Sequence, residues 1–161
     1  MAKFQLNELI RPYDTNKTVR AADGAGAANQ LSDADVNKFV KLKGDSQYGL
    51  CAVGDEIEGF LVTADEAGGA LYDGFKLGTI QETGRKTVTL DGLQATPGVG
   101  AIAVNDFVVA GTVTARGTKV PNGFPRVCKA TAVKGELTFL WRVVALKGTS
   151  AVGQVAVIER V

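Results

Sequence analysis

Short apolar runs rich in Val, Thr and Phe alternate along this chain with Gly, Asp and Asn turn pairs. That rhythm predicts strands joined by tight turns. Lys86-Thr87-Val88-Thr89-Leu90 alternates cleanly, with Val88 and Leu90 facing a core and the threonines facing water. Phe139, Trp141 and Val143 share one face of a longer run, and Leu140, Val144 and Leu146 share the other. Both faces are apolar there, so that strand should be covered on both sides. The expected strands are Lys38–Leu42, Tyr48–Val53, Ile57–Thr63, Phe75–Gln81, Lys86–Leu90, Ala101–Val104, Phe107–Thr114, Arg126–Val133, Leu137–Leu146 and Val155–Val161. Gly44-Asp45, Gly54-Asp55, Asp73-Gly74 and Asp91-Gly92 supply turns between them. Strands recurring about every ten residues predict an all-β fold, an antiparallel β-barrel or β-sandwich.

The first 35 residues depart from the rhythm. Phe4, Leu6, Leu9, Ile10 and Tyr13 are scattered among polar neighbours, and a stretch of small residues runs from Ala21 to Asn29. Such a segment buries too little to offset its ordering entropy. Residues 1–35 therefore read as an extended N-terminal arm and flexible connector, with a first edge strand as the alternative, and 36–161 as the β-rich body. Leu31–Val36 reads as one capped turn, with Ser32 or Asp33 as the cap. A faint echo links Ala52–Ile57, Ala103–Val108 and Ala151–Ala156: a small residue and a valine precede a turn that launches a strand. It reads as repeated hairpin corners of one barrel, or as chance recurrence of common turn chemistry.

Composition narrows the chemistry. The chain has 161 residues, a net charge of +1 and no histidine. Without histidine there is no His-based triad and no usual zinc site. Near-neutral charge disfavours capture by nucleic acid or an anionic membrane. Cys51 and Cys128 lie in expected strands, away from any CxxC pair, and read as buried reduced thiols, with a disulfide between them as the alternative that spacing does not decide. No leader is apparent and no apolar run is long enough to span a bilayer, so a soluble protein made in the cytoplasm is expected. The carboxylates Asp55, Glu56 and Glu58 cluster around one turn but read as a solvated edge. No catalytic residue, cofactor site or metal site is expected, and the protein is not read as an enzyme.

What remains is adhesion. The irregular stretch 115–126 carries Arg116, Lys119, Phe124 and Arg126, an aromatic among basic residues of the kind enriched at interfaces.

Asp35-Val36-Asn37-Lys38-Phe39-Val40-Lys41-Leu42, Tyr48-Gly49-Leu50-Cys51, Gly54-Asp55-Glu56-Ile57-Glu58-Gly59-Phe60, Gly78-Thr79-Ile80-Gln81 with Gly84-Arg85, and the C-terminal Gly148–Val161 carry a likeness. In these stretches the chain resembles the small capsid decoration (cement, head-stabilisation) proteins of tailed bacteriophages. The arm and the 115–126 loop match nothing in that pattern. The resemblance implies a structural virion protein made in the bacterial host. It would sit on the outer surface of the expanded head, bind the major capsid protein, and self-associate as a homodimer or homotrimer. Nucleic acid and membrane are not expected partners. Capsid contact would fall to the arm (Phe4, Leu6, Leu9, Ile10, Tyr13) and the loop (Arg116, Lys119, Phe124, Arg126). The C-terminal strand, through Val155, Val157 and Ile158, would pair within the oligomer. A tail or baseplate adaptor and a host-surface glycan-binding module are the alternatives.

Overall fold

A computed structural model describes residues 15–23, 29–44, 47–65 and 77–161. The fold is all-β, with eleven strands among the described residues: β1 Asn16–Ala21, β2 Phe39–Gly44, β3 Gln47–Leu50, β4 Gly59–Asp65, β5 Leu77–Gln81, β6 Arg85–Leu93, β7 Thr96–Pro97, β8 Phe107–Ala110, β9 Arg126–Lys129, β10 Trp141–Lys147 and β11 Val155–Arg160. The first five close into a barrel in the order β1–β3–β2–β4–β5. The second sheet runs β11–β10–β8–β9–β6–β7, and β11 also pairs with β6. That extra pairing completes a second ring, with β7 as a short spur.

The two rings are the same structure built twice. In each, the first strand runs parallel to the third, and all other neighbours are antiparallel. Register matches as well as order. Lys17-Thr18-Val19 of β1 faces Ile80, Thr79 and Gly78, while Lys86-Thr87-Val88 of β6 faces Ile158, Val157 and Ala156. A β-bulge falls between Leu61 and Thr63 in β4 and at the corresponding place, between Val143 and Ala145, in β10. The second strand is launched by Val36-Asn37-Lys38-Phe39-Val40 in one barrel and Val104-Asn105-Asp106-Phe107-Val108 in the other. Asn37 and Asn105 take φ of 71° and 73°, the left-handed region that asparagine tolerates. Their N–H groups donate to Leu61 and Val143 carbonyls, both at 2.8 Å.

The core has two parts. Val19, Leu31, Val40, Tyr48, Leu50, Leu61 and Ile80 fill the first barrel. Val88, Leu90, Ile102, Val108, Val127, Trp141, Val143 and Ile158 fill the second, but Phe39, Cys51, Ile57 and Phe60 of the first barrel belong to the same cluster. The outer face of β2 and β4 thus closes one end of the second barrel. Trp141 plugs that end: its indole N–H donates to the Ile57 carbonyl at 2.8 Å, and its ring meets Phe60 edge-on at 6.4 Å. Main-chain bonds tie the weld: Gly54 N–H to the Ala110 carbonyl (2.8 Å) and Ala110 N–H to the Asp55 carbonyl (2.9 Å). Arg160 donates to the Glu58 and Glu82 carbonyls.

Several expectations change. Asn16–Ala21, placed in the connector, is strand β1 and closes the first barrel through β3 and β5. Ala101–Val104 is not a strand; Ile102 N–H donates to Ser150, and the Asp106 carboxylate folds the chain into a turn by accepting from Ala103 N–H at 2.8 Å. The Ala52, Ala103 and Ala151 turns share main-chain hydrogen bonding but occupy non-equivalent places, so that echo is turn chemistry and not the repeat. The run Leu137–Leu146 starts its strand only at Trp141. The bulge turns Leu146 toward the core, which explains why both faces of the run were apolar. The capped turn at Ser32 is present: its N–H donates to the Asp35 carboxylate at 2.9 Å.

Candidate interaction surfaces

The carboxylates at the Asp55 turn hold main chain together. Asp55 accepts from Ala52 N–H at 2.6 Å and pairs with Lys41 at 2.7 Å. Glu56 accepts from the N–H groups of Thr138 (2.7 Å) and Phe139 (2.9 Å), which belong to the second barrel. Glu58 accepts from Leu42 N–H at 2.9 Å and from the Tyr48 hydroxyl. Among the described residues no group of three or more His, Cys, Asp or Glu is gathered as a metal ion needs. Among them too, no helix is long and apolar enough to cross a membrane.

Both cysteines are buried and unpaired. Burial, with the Asp55 charge second, pushes the Cys51 thiol up. Burial and the Asp91 charge push Cys128 up to about 11. Both shifts disfavour the thiolate near neutral pH.

Two buried carboxylates fix the loops that bear the candidate contact residues. Asp35 is fully buried and pairs with Lys38 at 2.7 Å. It also accepts from Gly117 N–H at 2.8 Å, and Lys38 donates to the Ala115 carbonyl at 2.7 Å. Burial alone would raise the Asp35 carboxyl; Lys38 and the N–H groups of Ser32 and Gly117 outweigh it and hold it below the ordinary value. Asp91 is 1% exposed, pairs with Arg126 at 2.9 Å and accepts from Thr112 N–H at 2.7 Å. Its carboxyl is likewise held low, against burial, by Thr112 and then Arg126.

The predicted loop residues therefore divide. Arg116 is exposed, with its guanidinium on Asn29 at 2.9 Å, and Lys119 is exposed. Phe124 is half-buried and borders a hollow of about 310 Å³ with Thr89, Pro121, Arg126 and Val155. Arg126 is committed to Asp91, so its first role is structural. The arm residues Phe4, Leu6, Leu9, Ile10 and Tyr13 lie outside the described residues. The C-terminal strand presents no free edge for pairing with another chain: β11 is bonded on one side by β10 and on the other by β6. Ile158 is 0% exposed, and Val155 and Val157 are half-buried within that ring. Trp141, the lone tryptophan, is fully buried and offers no sugar-stacking platform.

The features missed from sequence sit at the open end of the first barrel. Tyr48 closes it from within; Lys17 donates to its hydroxyl at 2.9 Å and stands over its ring. Burial and then Glu58 raise the Tyr48 phenol, while the bond to Tyr48 raises Lys17. Leu42 and Leu77, both about half exposed, flank a hollow of about 330 Å³ that runs along β1 from Lys17 to Arg20. No protein-family model, curated protein or solved structure matches this chain.

Proposed function

We propose that this chain is a structural virion protein that binds the outer surface of an expanded phage capsid and clamps neighbouring major capsid proteins against internal DNA pressure. One observation carries the reading beyond the sequence resemblance: two barrels of like register are fused through one core. A body of this kind holds separate surfaces at a fixed spacing, as a brace between two lattice neighbours must. Binding only the expanded lattice stabilises that lattice by linkage. Contacts to several subunits raise avidity without strong individual sites. The exposed Arg116 and Lys119, and the half-buried Phe124 of the same loop, are the contact residues on the second barrel. The arm residues, which lie outside the described residues, are proposed as the other contact.

Purified protein titrated onto expanded and unexpanded heads lacking it tests this. The expected result is saturable binding to expanded heads alone and a higher disruption temperature for decorated particles. Binding to tails only favours the adaptor alternative and overturns the proposal, as does no binding to either particle.

A further inference from the structure

The weld between the barrels has two halves, and among the described residues each half exists a second time without its counterpart. The first half is the outer face of β2 and β4. Its register-matched copy on the second barrel is β8 and β10, where Phe107 stands for Phe39 and Arg142 for Phe60. The turn Gly54-Asp55, which grips Ala110, is copied by Gly135-Glu136; in both, the last carboxylate folds back on a main-chain N–H three residues earlier. Gly135 and Glu136 are exposed, and the Arg142 Nε is buried with no hydrogen-bond partner.

The second half of the weld is the end of the second barrel that carries Lys86, Ala110 and Arg160. Its copy on the first barrel carries Lys17, Leu42 and Glu82. Leu42 is 50% exposed. Its N–H, matching the Ala110 N–H that crosses the weld, is held only by the Glu58 side chain. A side-chain carboxylate there stands in for a main-chain acceptor.

We propose that copies of this chain associate head to tail, the Leu42 end of one first barrel docking on the Phe107–Arg142 face of the next molecule's second barrel. The occupant is a second copy because, within the chain, the matching face is already covered by a barrel of this same fold. The contact is heterologous, so it closes into a ring or extends as a row, each molecule adding two barrels. It does not depend on the capsid reading, and its test needs no phage particle.

Sedimentation of the full chain at rising concentration, in wild type and in two single variants, decides the matter. The wild type gains mass with concentration. Leu42→Asp blocks one half and Phe107→Asp the other, and each alone stays monomeric, with association weakened about tenfold or more, as expected for central interface positions. A one-to-one mixture of the two forms a dimer and goes no further, because only one intact pair of halves remains. Arg142→Glu replaces Phe107→Asp if Trp141 emission shows the latter unfolded. A wild type monomeric at every concentration, a variant that associates like wild type, or a mixture without dimer overturns the proposal.

Discussion

At the end where the second barrel carries Trp141, the first carries Gly59, and the two ends are finished in opposite ways. The tryptophan end is buried. It lies under Phe39, Ile57 and Phe60 of the neighbouring barrel and shares their core. The glycine end faces water and is closed by the Tyr48 ring, whose hydroxyl sits between Lys17 and Glu58. One backbone plan thus tolerates either solution. What decides is whether a neighbour covers the end: a covered end needs volume, while an open end needs an amphipathic side chain with its polar tip satisfied.

The comparison can be broken most directly at Trp141. Trp141→Ala should lower stability by about 3–5 kcal/mol in chemical denaturation, the range for deleting a buried aromatic. Next comes the buried pair beneath the loop at 115–117. Lys38→Met leaves Asp35 buried without its cation and should cost about 3–5 kcal/mol in the same assay. Glu58→Gln, by contrast, acts at the open end and should cost about 1 kcal/mol.

Titration separates the ends further. Asp35 and Asp91 have folded values below the ordinary 3.8. Their contribution is fully present above that value and is lost as pH falls through the folded values, so acid denaturation should loosen the 115–126 loop that both hold. Lys86 behaves oppositely. It lies over the Phe60 ring at 4.0 Å, donates to the Asn37 side-chain Oδ1 at 2.7 Å, and burial lowers its value from 10.5 to about 8. Between those values the unfolded chain binds the extra proton, so stability rises as pH climbs from 8 to 10.5. Lys86→Met should flatten that rise in melts across the alkaline range. The smallest effect belongs to the exposed Lys17–Glu82 pair at 3.6 Å: Glu82→Gln should change stability by less than about 0.5 kcal/mol.

Period-two alternation and turn pairs carried the strands of the body because each buries a regular face against a core. β1 escaped that reading because only Val19 and Ala21 of its six residues turn inward. The duplication was nearly silent in sequence. Equivalent positions exchange one residue for another of different size, as at Tyr48 and Val127 or Leu42 and Ala110, and the loops differ in length. Only Lys-Thr-Val and Val-Asn-x-Phe-Val survive as matching words, and chance turn resemblances are as strong. The loop residues were visible as exposed chemistry, but the role of Arg126 was not. Its partner Asp91 arrives through the parallel pairing of β6 with β9, a contact local pattern cannot encode. The C-terminal strand looked adhesive for the reason that makes it core: Ala156 and Ile158 are apolar because β6 and β10 enclose them.

The account stands on the two barrels forming one cooperative body through the Trp141 weld. Equilibrium denaturation followed together by Trp141 emission and by amide exchange in β1 and β5 addresses this, since one probe reports the weld and the other the far barrel. Coincident midpoints are the predicted result. Two separated transitions, with the first barrel surviving after Trp141 is exposed, would contradict it.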